Sequence, residues 1–160
     1  MMGNHDVAQI CLNGHIITST YNSYPSSRED YCQRCGKGTI TECTHCGSKI
    51  RGDSFVDEIY YEPMQFVPKY CYKCGQPYPW TKEKIAAAKE LTDFLEELSE
   101  DEREQLKQSL DDLVNDGPRT TVAVSKFKRI MSKTGSEIAI GLKDILVDVV
   151  SETVKKSIWG

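Results

Sequence analysis

No cysteine and no tyrosine follows Tyr78 in this chain of 160 residues, and histidine is scarce throughout, with three copies. No apolar stretch approaches the roughly 20 residues of a membrane span. None ahead of Cys11 reads as a signal peptide. There is no P-loop, no nucleophile elbow and no pair of acid and base that stands out as catalytic. These absences set aside a membrane protein and leave an enzyme as the weakest reading. They point to the reducing cytoplasm, where thiols stay free to bind metal.

What is present is a pattern of ligands. All seven cysteines and His15 fall into four close pairs: Cys11–His15, Cys32–Cys35, Cys43–Cys46 and Cys71–Cys74. Tetrahedral zinc takes four donors from sulfur and imidazole nitrogen, so four pairs make two closed sites with no thiol left over. Gly36, Gly47 and Gly75 follow the three Cys-x-x-Cys pairs, where a knuckle must turn sharply. A disulfide framework fits poorly, because the cysteine count is odd. A thioredoxin-like redox pair stands alone at a strand–helix junction rather than in a run of three. The expected cofactor is therefore Zn²⁺, two per chain and structural, ahead of iron in the all-cysteine site. His45, between Cys43 and Cys46, is expected to be exposed, and His5 has no assigned role.

The donors can be wired in sequence (Cys11, His15, Cys32, Cys35; then Cys43, Cys46, Cys71, Cys74) or as a cross-brace. The gaps favour the sequential wiring, because Ile16–Tyr31 and Gly47–Tyr70 are each long enough to bring two knuckles face to face. Ile16–Thr18, Thr39–Thr41 and Phe55–Val56 read as short strands, with Asn22, Ser23, Pro25 and Gly52–Asp53 as breakers. A site with four protein donors has no open position for water, so its binding energy is folding energy, on the order of 10–16 kcal/mol in small zinc-finger peptides.

The run Ile10-Cys-Leu-Asn-Gly-His15, with Tyr31-Cys-Gln-Arg-Cys-Gly36, Cys43-Thr-His-Cys-Gly47 and Tyr70-Cys-Tyr-Lys-Cys-Gly75-Gln-Pro-Tyr-Pro-Trp80, resembles an uncharacterised bacterial tandem zinc-ribbon family, domain of unknown function 2321. The likeness extends to Ser151–Lys156 and Trp159-Gly160. It implies a bacterial cytoplasmic protein with tandem ribbons ahead of a helical tail, and no activity.

The composition changes near Pro77–Trp80, giving an expected α+β protein: a tandem zinc-ribbon domain over 1–80 and a helical domain over 81–160. Thr81 is a candidate N-cap for a helix carrying Ile85, Ala88, Leu91, Leu95 and Leu98. Ser99 and Glu102 form a capping-box signature for a second helix, which Gly117-Pro118 ends. A third begins near Thr120, and a fourth runs from Ser136 through Leu142 and Val149 to Ile158.

Glu90 to Asp116 holds eleven acids, whereas Arg119 to Lys133 holds five bases and no acid. The basic helix either grips phosphates or lies against the acidic helices, and the second is favoured because the acidic block would repel nucleic acid. Seven thiolates and two Zn²⁺ take the formal charge from −4 to about −7. Tyr60, Tyr61, Phe66, Tyr70, Tyr72, Tyr78 and Trp80 are expected to shield metal and pack the junction rather than stack bases. The sequence thus favours a non-enzymatic zinc-binding scaffold or adaptor. It would act through a protein partner, or through self-association of the broadly apolar C-terminal helix. The alternative is a nucleic-acid-binding regulator that uses the ribbons and the basic helix 119–133.

Overall fold

The computed structural model describes residues 4–55, 61–135 and 137–160. The strand expected at Val56, the aromatic Tyr60 and the helix start at Ser136 lie outside the described residues. The chain divides into two compact units, Met1–Lys82 and Glu83–Gly160.

The first unit holds two small antiparallel sheets. Strands β1 (Asn4–Val7), β5 (Arg51–Phe55) and β6 (Tyr61–Glu62) form one, in the order β1-β5-β6. Strands β2 (Gln9–Cys11), β3 (Ile16–Thr18) and β4 (Thr39–Ile40) form the other, in the order β3-β2-β4. The chain therefore passes from one sheet to the other across a single residue, Ala8, which is fully buried and donates its N–H to the Ile50 carbonyl at 2.8 Å. The two ribbons interlock and share one core of Ala8, Ile10, Cys43, Ile50, Cys71, Tyr78 and Trp80.

Gly52 and Asp53 do not break a strand; they lie inside β5. A Cβ at Gly52 would sit 2.1 Å from the Ser19 carbonyl oxygen, so glycine is what lets the Ser19 loop close on the strand. The buried Asp53 carboxylate accepts from the Met64 N–H at 2.7 Å and from the Tyr61 hydroxyl, tying β6 to β5. Gly-Asp reads as a turn from local propensity, and these longer-range contacts override it.

Among the described residues five helices follow: α1 (Pro79–Thr92), α2 (Glu100–Val114), α3 (Thr120–Met131), α4 (Glu137–Leu146) and α5 (Glu152–Trp159). Thr81 is not an N-cap. The helix begins at Pro79, which needs no N–H partner in a first turn, and Lys82 donates to the Tyr78 carbonyl. Helix α1 also stops short of Leu98. The Thr92 hydroxyl bonds back to the Ala88 carbonyl at 3.0 Å, and turns carry the chain on to Leu98. The Ser99–Glu102 capping box forms at α2, and both of its reciprocal bonds are made. The expected single fourth helix is two. It ends at Leu146, and Ser151 caps α5 by accepting the Val154 N–H at 3.3 Å. Leu142, Leu146, Val149, Val150 and Val154 are all buried, so the break folds a long apolar surface into the core of the second unit. Among the described residues, no helix is long and apolar enough to cross a membrane.

Candidate metal centres

Three of the four ligand pairs sit on knuckles built the same way. At Cys32, Cys43 and Cys71 the backbone N–H bonds to a carbonyl five residues on (Lys37, Ser48 and Gln76), at 2.8–2.9 Å. The following glycine closes the loop by donating to the carbonyl of the first cysteine: Gly36 to Cys32, Gly47 to Cys43 and Gly75 to Cys71. Those three glycines have φ of 75–78°, a conformation that favours a residue without Cβ. Backbone N–H groups then point at the thiols, with His45 donating to the Cys43 sulfur and Lys73 to the Cys71 sulfur at 3.4 Å. The first pair is different: strand β2 ends at Cys11, Gly14 turns the chain, and the His15 N–H reaches the Cys11 sulfur at 3.3 Å.

The knuckles meet in the sequential pairing. Cys11, His15, Cys32 and Cys35 form one cluster, and Cys43, Cys46, Cys71 and Cys74 the other, with all donor atoms of each cluster within 4.8 Å of one another. The separations identify the geometry. Bonds of about 2.3 Å to sulfur and 2.0–2.1 Å to nitrogen, at tetrahedral angles, place two sulfurs about 3.8 Å apart and a sulfur and a nitrogen about 3.5 Å apart. The Cys11–Cys35, Cys43–Cys74 and Cys46–Cys71 sulfurs are each 3.7 Å apart. His15 Nδ1 lies 3.4 Å from the Cys11 sulfur and 3.5 Å from that of Cys32. A disulfide would need about 2.05 Å. The two clusters fit two structural zinc sites.

The electrostatics agree. Backbone N–H donation from Lys37 holds Cys35 down to about 6, and donation from Cys74 does the same for Cys71. The Ser48 hydroxyl lowers Cys46, while burial raises Cys11. Cys74 is pulled down by the Gln76 N–H but driven up to about 12 by burial and by the Cys43, Cys46 and Cys71 thiols. Four converging thiols repel one another as they ionise, and a divalent cation at their centre removes that obstacle.

His45 is exposed and belongs to neither cluster, and His5 lies on β1, also outside both. Several supporting residues carry no recognisable sequence signal. Gln9 donates to the Glu29 carbonyl at 2.6 Å and to the Thr39 hydroxyl at 2.7 Å, and it accepts from the Glu29 N–H, bracing the first ribbon. The Asp6 carboxylate accepts from the Val7, Asn22 and Ser23 N–H groups, and these bonds outweigh burial to hold it below its usual range. The aromatic set divides. Tyr78 and Trp80 stack at 4.8 Å and are buried; burial first, then the neighbouring Cys71, pushes the Tyr78 hydroxyl above its usual range. Tyr61, Phe66 and Tyr72 are exposed rather than packed into the core.

A family model for an uncharacterized protein conserved in bacteria (DUF2321) matches residues 4–158. The chain belongs to this family. No curated protein and no solved structure matches it.

Proposed function

We propose that Cys11, His15, Cys32, Cys35, Cys43, Cys46, Cys71 and Cys74 are zinc ligands. On this reading the DUF2321 protein is a non-enzymatic scaffold of the bacterial cytoplasm, acting through protein contacts of its ribbons and helices. The observation that carries the reading is the closure of both clusters. Each has four donors at tetrahedral separations, which leaves no coordination position for a water or a substrate. The zinc then serves the fold, replacing the apolar core that a unit of this size has little of. The test is affinity capture of the intact protein from its host with and without nuclease. A defined protein partner retained after nuclease supports the scaffold; capture abolished by nuclease overturns it.

One observation favours the nucleic-acid reading. Helix α3 packs against the acidic α2, as expected, but most of the bases of the 119–133 stretch are not paired with its acids. Of the five bases from Arg119 to Lys133, Lys133 is the only one in an ion pair among the described residues, with Glu102 at 2.5 Å. Arg119, Lys126, Lys128 and Arg129 are exposed. Two other acids of the block are held by nearer lysines, Asp111 by Lys89 and Asp93 by Lys107. If these four bases contact duplex phosphates, the logarithm of the binding constant should fall with that of salt at a slope of about −3 to −4. A slope near zero eliminates this reading.

A further inference from the structure

Apart from both clusters, the ribbon unit carries a cavity of about 310 Å³. Small-molecule sites run from roughly 300 to 1,000 Å³. Its floor is one face of the β1-β5-β6 sheet. His5 and Ser54 are register partners, as are Ser54 and Glu62, so the three side chains form a row across three strands, and all three line the cavity. No hydrogen bond among the described residues engages these side chains. The walls hold Phe66, which is 76% exposed, and Tyr72, which is 55% exposed. The Arg51 guanidinium lies 3.7 Å from the centre of the Tyr72 ring.

We propose that this cavity binds one nucleotide unit whose base carries an exocyclic amine. The exposed Phe66 ring and the Arg51 guanidinium stacked on Tyr72 suit a flat heteroaromatic ring. The row on the floor offers hydrogen-bonding groups to the edge of that ring. The Glu62 carboxylate is acceptor-only when ionised, so it takes the projecting amine of adenine, cytosine or guanine in preference to the ring N3–H of uracil or thymine, which is flanked by two carbonyl oxygens that repel it. Arg51 is the cation available to the phosphate. The unit can come from a free mononucleotide or from an unpaired position in a single strand, and the chemistry is the same for both.

This site goes beyond the scaffold reading, and its failure would leave the zinc clusters untouched. The test is titration of the zinc-loaded full chain with AMP, CMP and UMP, and with adenylate and uridylate hexamers. AMP or CMP binds in preference to UMP. Phe66→Ala weakens binding about tenfold, the scale of one stacking contact. Glu62→Gln reduces or reverses the preference over UMP, because the amide can also donate, and both variants keep their zinc. A hexamer that binds far more tightly than its mononucleotide assigns the site to single strands, and comparable affinities assign it to free nucleotides. Absence of saturable binding by every probe at millimolar concentration overturns the proposal. So does binding that neither variant changes.

Discussion

Gly14, the turn residue of the first knuckle, lies against the indole of Trp80: a Cβ placed on Gly14 would be 3.0 Å from the Trp80 Cβ. Trp80, in the first turn of α1, is thereby seated on the first knuckle, and its indole N–H is fixed by donating to the Pro68 carbonyl at 2.8 Å. Gly14 also has a φ of +90°. Gly14→Ala therefore meets both backbone strain and a clash. It should cost about 2–4 kcal/mol, whereas Gly36→Ala, with open space around it, should cost about 1–2 kcal/mol from strain alone. Chemical denaturation of the zinc-loaded variants measures the difference. Equal costs would mean that the Trp80 contact contributes nothing.

Because the ribbons share one core, losing one site should be felt in both. Cys74→Ser should raise hydrogen exchange across both sheets, including β2 and β3 of the other ribbon. Helices α2 to α5 should keep their protection, since their buried residues form a unit of their own. His45→Ala should retain both metals, because His45 stands outside the clusters. Zinc lost from His45→Ala would show the ligand set to be wrong.

In the second unit the apolar residues of α4 divide sharply. Leu146 is fully buried, and Ile140 is 61% exposed. Leu146→Ala should cost about 2–5 kcal/mol and Ile140→Ser less than about 0.5 kcal/mol, measured by thermal unfolding of the intact protein. The same burial means that truncation near Lys133 should melt the helices rather than release a folded monomer.

Lys133, and after it the Ser99 N–H, lowers the Glu102 carboxyl below its usual value of 4.5. A lowered carboxyl contributes stability that is fully present above the unfolded-state value and is lost as the pH falls through the folded one. Carbon-detected NMR titration should place the Glu102 midpoint below that of a free glutamate, and Lys133→Met should move it upward. An unmoved midpoint would leave the ion pair without energetic effect.

The sequence was most legible where chemistry is local. Cys32-x-x-Cys35-Gly36 and its two counterparts specify a knuckle through ligand type, spacing and one glycine, and the structure brings their donors to tetrahedral separations. The Ser99–Glu102 box is equally local, and it forms. Strands β1 and β6 were not legible, because Asn4–Val7 and Tyr61–Glu62 become strands only by pairing with β5, about 50 and 10 residues away in the chain. The break between α4 and α5 was hidden because Val147, Val149 and Val150 continue the apolar pattern through it. Ser151 was the available signal for the second start. That Lys133 alone of the five bases would meet an acid was also beyond a block count, which records sign but not facing.

Two closed metal sites per chain underlie every other feature of the ribbon unit. Native mass spectrometry of protein purified without added metal, combined with thiol counting under native conditions, tests this most directly. The expected result is two zinc ions per chain and no reactive thiol until the protein is denatured or its metal chelated. One equivalent of zinc with reactive thiols among Cys43, Cys46, Cys71 and Cys74 would contradict it.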